Sequence, residues 1–239
     1  MAALTDIAIH LSYLDWPGDE LRLRRAFVRS AGLAGGIFRS FMPRLVVDGR
    51  GKLNIFLGDR EPVRRYEPQE ARIGSLSEYS PGAFDLPAFL EQEPALRFAA
   101  CLDLIEDALV DICTACDVDP QPYREAAARA RATNGELDME IPLSRSTRDR
   151  RLRFRVMRLL NESIEGWRVE LVERNGRIAT TCVIAADLQA MSCYEFCSSK
   201  VVDEAFTLFD FQHRPVFSVS REGEVLLPFV PARYSVKSS

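Results

Sequence analysis

The sequence is poor in histidine and lysine, and it lacks the common catalytic motifs. His10 and His213 are the only histidines in 239 residues, and lysine occurs three times among 31 basic residues. No phosphate-binding glycine loop, nucleophile elbow, HExxH zinc motif or dinucleotide-binding glycine pattern is present. We therefore predict no catalytic residue, no metal and no cofactor. Arginine codons are rich in G and C, so the excess of arginine over lysine is typical of a GC-rich bacterial genome.

Membrane-spanning and secretory patterns are also missing. No uncharged apolar run approaches the roughly 18 residues that a membrane helix needs. Residues 1–12 contain no basic residue, and Asp6 interrupts their apolar character, which is not the pattern of a secretory signal. We expect a cytoplasmic protein without a membrane partner. The net charge of −4 argues against nucleic acid as the main ligand.

The period of the hydrophobic residues changes after residue 135, from helical to strand-like. Before this point the pattern predicts a strand, a helix ended by Gly35-Gly36, a hairpin and two further helices, over residues 7–13, 19–33, 45–57, 95–116 and 123–132. After it, residues alternate as in antiparallel strands, and Asn175-Gly176 indicates a hairpin. We predict an α+β fold: an N-terminal strand–helix–hairpin and helical segment packed with a C-terminal, mainly antiparallel sheet. The expected units are 1–135, with a central acidic helix, and 136–230, or one continuous domain.

Two segments have weaker patterns. Prolines and glycines interrupt residues 58–94, which indicates a long functional loop or linker with a short helical turn at 86–91. Residues 187–200 are compatible with a short helix.

The cysteines allow three interpretations. Cys113 and Cys116, with Cys193 and Cys197, have spacings that a four-thiolate zinc site would accept. His213 could instead activate one of the C-terminal cysteines, and Cys113-x-x-Cys116 could be redox-active. However, free cysteine commonly behaves as a small buried hydrophobe, and Cys113 and Cys116 lie on the apolar stripe of a predicted helix. We favour burial.

An arginine-rich strand follows residue 144. Arg151, Arg153 and Arg155 should point to one face, where they could bind phosphates or an acidic partner. The preceding strand carries Asp138 and Glu140, so antiparallel pairing would instead form a cross-strand ladder of ion pairs. We favour the ladder.

The acidic helix is the strongest functional signal. Asp103, Asp107 and Asp111 recur every four residues opposite the apolar stripe, with Glu106 beside them. Like charges at this spacing slightly destabilise a helix, so the row is either a solvated face or a surface for a cationic partner. Asp103, Glu106, Asp107 and Asp111 are the predicted partner-binding residues.

Three functions fit these observations. The favoured hypothesis is a non-catalytic protein-binding protein, best described as an immunity-type inhibitor that neutralises a basic toxin or effector encoded nearby. The first alternative is an enzyme with a dispersed carboxylate or cysteine site, to which Asp138, Glu140, Asp203 or Glu204 could contribute. The second is an oligomeric adaptor that uses strand edges of the C-terminal half.

Overall fold

The computed structural model describes residues 2–11, 20–58, 76–186 and 196–229. Contacts between residues divide the chain into two units, Met1–Gly135 and Glu136–Ser239. The first unit combines helices with a parallel sheet, and the second consists of antiparallel strands, so the predicted α+β class is confirmed. Among the helices in these ranges, none has an apolar stretch of the length required to cross a bilayer.

A parallel three-stranded sheet organises the first unit. Its elements in chain order are β1 (Asp6–Leu11), α1 (Glu20–Phe41), β2 (Lys52–Leu57), β3 (Leu76–Tyr79), α2 (Leu86–Glu91), α3 (Pro94–Ala115) and α4 (Gln121–Arg131). The strand order is β1-β2-β3, with Ile7 opposite Leu53 and Leu53 opposite Ser77. Leu53, Ile55 and Leu57 alternate along β2 and have no exposed surface, as expected for a central strand. The short helix predicted at 86–91 is confirmed as α2.

The hairpin predicted at 45–57 is wrong. Residues 45–47 are not a strand, and β2 pairs in parallel with β1 and β3. The backbone before β2 pairs with the N-terminal segment instead. The oxygens of Leu45, Gly49 and Gly51 accept hydrogen bonds of 2.9–3.1 Å from that segment. The Asp48 carboxylate accepts hydrogen bonds from the Ser77 hydroxyl and from the backbone N–H of Arg50. Asp48-Gly49 therefore forms a turn that leads into a parallel strand.

Helix α1 continues past the glycines that were predicted to end it. Gly35 and Gly36 lie inside α1, and both are buried. A Cβ atom on Gly35 would lie 3.5 Å from the backbone oxygen of Ile7, so the missing side chain lets the helix approach β1 closely. The glycine pair thus serves packing between a helix and a strand.

Helix α3 is 22 residues long, as is α1, and one side of it is buried in the first unit. The helix predicted at 95–116 is confirmed as Pro94–Ala115, and the one predicted at 123–132 as Gln121–Arg131. Helix α3 packs against α1 and α4 through one apolar stripe. The stripe consists of Phe98, Cys101, Leu102, Ile105, Ala108, Leu109, Ile112 and Cys113.

The second unit is built from two antiparallel sheets. Its strands are β4 (Leu137–Glu140), β5 (Arg145–Ser146), β6 (Leu152–Leu160), β7 (Glu165–Glu173), β8 (Ile178–Ala186), β9 (Ser198–Val202), β10 (Ala205–Phe209), β11 (Pro215–Val219) and β12 (Val225–Leu227). One sheet has the order β4-β6-β7-β8, with β5 also paired to β6, and the other has the order β12-β11-β10-β9. Phe154 and Phe206 stack 5.1 Å apart between the sheets. The Asn175-Gly176 hairpin joins β7 to β8 as predicted.

Two sequence predictions fall partly outside the described residues. Residues 59–75 of the predicted loop 58–94 lie outside them, and the described remainder contains β3, which the sequence pattern did not indicate. Residues 187–195 of the predicted helix at 187–200 also lie outside. Its last residues are wrong as a helix, because Ser198–Val202 is a strand paired with β10.

Candidate functional site

The acidic residues predicted to bind a partner lie on the outer side of α3. Asp103, Asp107 and Asp111 are exposed, and Glu106 is partly exposed. Their direction follows from the apolar stripe, because burying that stripe against α1 and α4 turns the opposite side of the helix to solvent. We call these four residues the acidic face.

Arg131 neutralises part of the acidic face. Its guanidinium contacts the Asp103 and Glu106 carboxylates, each at 2.6 Å. Burial alone would lower the pKa of Arg131, but its hydrogen bonds to the two carboxylates raise it. One positive charge is thus shared between two negative charges. Arg131 lies in the last turn of α4. No pattern in the sequence indicates this pairing, because it depends on how α3 and α4 pack.

Asp111 has an uncharged hydrogen-bond partner. The Tyr79 hydroxyl donates a hydrogen bond of 2.6 Å to Asp111 Oδ2. Burial, followed by the adjacent Asp111 and Asp107 carboxylates, raises the pKa of Tyr79. The phenol therefore stays protonated at neutral pH and acts only as a donor. This contact orients the Asp111 side chain without cancelling its charge.

Asp107 is the uncompensated member of the acidic face. Within the described ranges, no side chain or backbone group pairs with its carboxylate. Partial burial raises the pKa of Asp107, the charges of Asp103, Glu106 and Asp111 raise it further, and Arg131 opposes them. The net shift is upward, which means that Asp107 carries its negative charge in a repulsive environment.

The arginine-rich strand forms an ion-pair network whose partners agree only in part with those predicted. Arg153 does bind Glu140, but Arg155 binds Glu170, which the sequence analysis did not single out. Arg168 contacts two carboxylates: Nε lies 2.6 Å from Glu170, and a terminal guanidinium nitrogen lies 3.0 Å from Asp138. The reason is register: β4 pairs with the far half of β6, where Asp138 lies opposite Leu159.

Glu170 is the centre of that network. It is 3% exposed, and burial alone would raise its pKa. Hydrogen bonds and charge from Arg155 and Arg168 outweigh burial and lower the pKa of Glu170. The alternating charges of Arg168 and Glu170 were a signal for this strand face in the sequence. By contrast, 78% of the Arg151 side chain is exposed, and its Nε lies 3.7 Å from Asp149 Oδ2.

The cysteines of α3 are held as thiols. Burial raises the pKa of Cys101 to about 12 and that of Cys113 to about 11. Burial also raises the pKa of Cys116, which lies at the C-terminal cap of α3, where the helix dipole disfavours a thiolate. Cys193 lies outside the described residues. In the ranges that the structure covers, no three His, Cys, Asp or Glu side chains lie together as metal ligands.

Cys197 is the described cysteine that lies near His213 in the structure. The Cys197 thiol donates to the backbone oxygen of Asp210 at 2.7 Å, and the His213 backbone N–H donates to the same oxygen at 2.9 Å. Among the described groups, no hydrogen bond joins the thiol to the His213 ring. Cys182 is buried in the core between the sheets. His10 contacts Asn54 at 3.2 Å and stacks on Phe56.

The carboxylates suggested for a dispersed catalytic site lie apart along the second unit. Asp138 and Glu140 belong to the ion-pair network, and Glu204 binds Arg221 at 3.0 Å. Asp203 and Glu204 form the turn between β9 and β10 and border an open cavity of about 610 Å³. Comparison of the chain with protein-family models, with curated proteins and with solved structures found no match.

Proposed function

We propose that this protein acts by binding a basic protein partner through the acidic face of α3, in the manner of an immunity-type inhibitor. The observation that carries the proposal is the charge of Asp107, which is exposed, is repelled by its neighbours and has no partner among the described residues. Repulsion of this kind destabilises a helix slightly. A cationic partner would relieve it, so binding energy would come from the same charges that cost folding energy.

The support beneath the acidic face favours binding. Helix α3 is 22 residues long, and eight of its side chains are buried against the rest of the unit. A face fixed in this way loses little conformational entropy on association. The contacts of Arg131 and Tyr79 also fix the side chains on either side of Asp107.

Charge on such a face mainly accelerates encounter and selects orientation. Complementary potentials raise association rates and reject partners of like sign. Arg131 removes about one of the four negative charges, so Asp107 and Asp111 are the residues whose charge is fully available. We therefore refine the predicted set: Asp107 and Asp111 are the principal contacts, and Asp103 and Glu106 are secondary.

An enzyme with a dispersed carboxylate or cysteine site is the second candidate. It receives less support, because Asp138, Glu140 and Glu204 are engaged with arginines and the α3 thiols have raised pKa values. An oligomeric adaptor is the third candidate. The exposed apolar residues Val183 on β8 and Leu226 on β12 favour it, since open strand edges can pair between copies.

The test is co-expression with the product of the adjacent gene. We expect the two proteins to purify together, and cells that express a toxic neighbour to survive only when this protein is present. Asp107→Asn combined with Asp111→Asn should lose both effects. Glu91→Gln, which removes an exposed acid from α2, is the matched control and should keep both. If the wild type neither binds nor protects, or if the control fails as the double variant does, the proposal is wrong.

A further inference from the structure

Three turns of the second unit meet around one arginine-lined depression. The turns join β5 to β6, β7 to β8, and β11 to β12. The backbone N–H of Arg174 donates to the oxygen of Arg151 at 3.1 Å, which ties the first two turns together. Arg221 of the third turn lies 3.7 Å from Asp149 of the first. The depression has a volume of about 400 Å³ and is lined by Arg151, Leu152, Glu173, Arg174, Asn175 and Arg221.

Positive charge exceeds negative charge inside the depression. Glu173 is the one acid among the described residues that line it, and Arg177 binds that carboxylate. Arg174 is exposed and has no acidic partner among the described residues. The Arg151 guanidinium has one acidic contact among the described residues, at 3.7 Å from Asp149, a carboxylate that it shares with Arg221. Three arginines therefore line a space in which the carboxylate of Glu173 is already engaged.

The backbone that carries these arginines is fixed. Gly176 adopts φ +86° and closes the β7–β8 turn by donating to the oxygen of Glu173 at 2.9 Å. Gly223 adopts φ +90° in the β11–β12 turn, where a Cβ atom would lie 2.6 Å from the Thr180 side chain. Ser220 and Glu224 close the same turn with a 2.8 Å hydrogen bond. The arginines thus extend from rigid hairpin ends, which lowers the entropic cost of gripping an anion.

A second, acidic depression next to the first limits the size of the anion that the arginines can bind. The neighbouring cavity contains Asp149, Asp203 and Glu204 among its lining residues, and Arg221 contacts Glu204 at 3.0 Å. A long polyanion such as nucleic acid would cross these carboxylates and be repelled. A small ligand with one anionic group would fit the arginine side alone.

We propose that Arg151, Arg174 and Arg221 bind the phosphoryl group of a small soluble ligand. The planar guanidinium group matches phosphate oxygens with two parallel hydrogen bonds, and several arginines can share one dianion. Leu152 offers an apolar surface for the organic part of such a ligand. This site lies outside the acidic face and does not depend on the protein partner proposed above.

The test is a titration of the uniformly ¹⁵N-labelled full chain with inorganic phosphate and with ribose phosphate, at constant ionic strength. We expect saturable shifts of the amides around Arg151 and Arg174. Arg174→Gln and Arg151→Gln should each weaken binding by about tenfold, the loss of one charge-assisted contact. Arg124→Gln is the matched control, because it removes one exposed arginine from α4 and should leave the affinity unchanged.

Each outcome decides the proposal. Equal affinities for the two probes would identify the ligand as free phosphate, and tighter binding of ribose phosphate would identify an organic phosphate. Shifts that never saturate, shifts spread over the whole surface, or equal weakening by Arg174→Gln and Arg124→Gln would overturn it.

Discussion

At the scale of single residues, Asp107 links the stability of α3 to its proposed use. Burial and the neighbouring carboxylates raise the folded-state pKa of Asp107 above its value in the unfolded chain. Ionisation therefore opposes folding. The penalty is absent below the unfolded pKa, near 4, and is complete once the pH has risen through the folded-state pKa.

Asp107→Asn should therefore stabilise the protein at neutral pH. We expect the free energy of unfolding to rise by about 0.5 kcal/mol at pH 7, the order of one or two like-charge contacts on a helix. At pH 3 the variant and the wild type should be equally stable. Urea denaturation at both pH values measures this, with Glu91→Gln as the control. Destabilisation by Asp107→Asn at pH 7 would show that the carboxylate has a favourable partner.

Glu170 is a buried carboxylate of the second unit. Removing it leaves Arg155 and Arg168 without their shared carboxylate, although both guanidinium groups keep some access to water. Glu170→Gln should lower the free energy of unfolding by about 2 kcal/mol, less than the loss for a fully buried pair. Thermal denaturation of this variant and of Glu173→Gln, a partly exposed acid on the same strand that pairs with the exposed Arg177, separates burial from charge. Equal effects of the two variants would contradict this account.

At the scale of elements, the local patterns located most helices and strands, and contacts between elements explain the failures. The apolar stripe predicted α3, and alternation predicted β6 and β7, because burial of one face leaves a periodic trace in the sequence. Gly35 looked like a helix end because its packing partner, β1, is far away in the sequence. Asp48-Gly49 looked like a hairpin because the hydrogen bonds of Leu45 to the N-terminal segment have no local signature.

The acidic face was predictable in position but not in partners. The four-residue spacing of Asp103, Asp107 and Asp111 gave their common side of the helix. The contacts of Arg131 and Tyr79 come from α4 and β3, so no pattern within α3 could reveal them. The same limit applies to Arg151, Arg174 and Arg221, which three separate turns bring together.

Helix α1 offers a direct check on the role of its glycines. Gly32 is exposed, and a Cβ atom there would meet nothing within 4 Å, so Gly32→Ala should stabilise the protein by about 0.5–1 kcal/mol through helix propensity. Gly35→Val should destabilise it, because side-chain atoms beyond the Cβ would press on β1 near Ile7. Chemical denaturation of both variants measures the difference. A stabilising Gly35→Val would disprove the close approach of α1 to β1.

At the scale of the whole molecule, carboxylates paired with basic side chains make the free energy of unfolding depend on pH. Burial alone would raise the pKa of Asp6, but Arg39 at 2.8 Å and Lys52 at 3.2 Å lower it overall. Arg155 and Arg168 lower the pKa of Glu170 in the same way, against the effect of its burial. These pairs contribute fully above the unfolded pKa of a carboxyl group, about 4, and their contribution is lost as the pH falls through the folded-state pKa.

Acid should therefore destabilise both units of the chain. We expect the melting temperature to fall steadily below about pH 4. The double variant Asp6→Asn, Glu170→Gln should start from a lower melting temperature at pH 7 and lose less on acidification. Circular dichroism melts over this pH range test the prediction. A wild-type curve that is flat down to pH 2 would contradict the role of these pairs.

Binding through the acidic face is tested most directly by isothermal titration of this protein with the product of the adjacent gene at low and at high salt. We expect a tight complex of one molecule of each, a marked loss of affinity as salt screens the charges, and a much weaker salt dependence for Asp107→Asn combined with Asp111→Asn. Binding that is insensitive to both salt and the double substitution, or no binding at low salt, would contradict it.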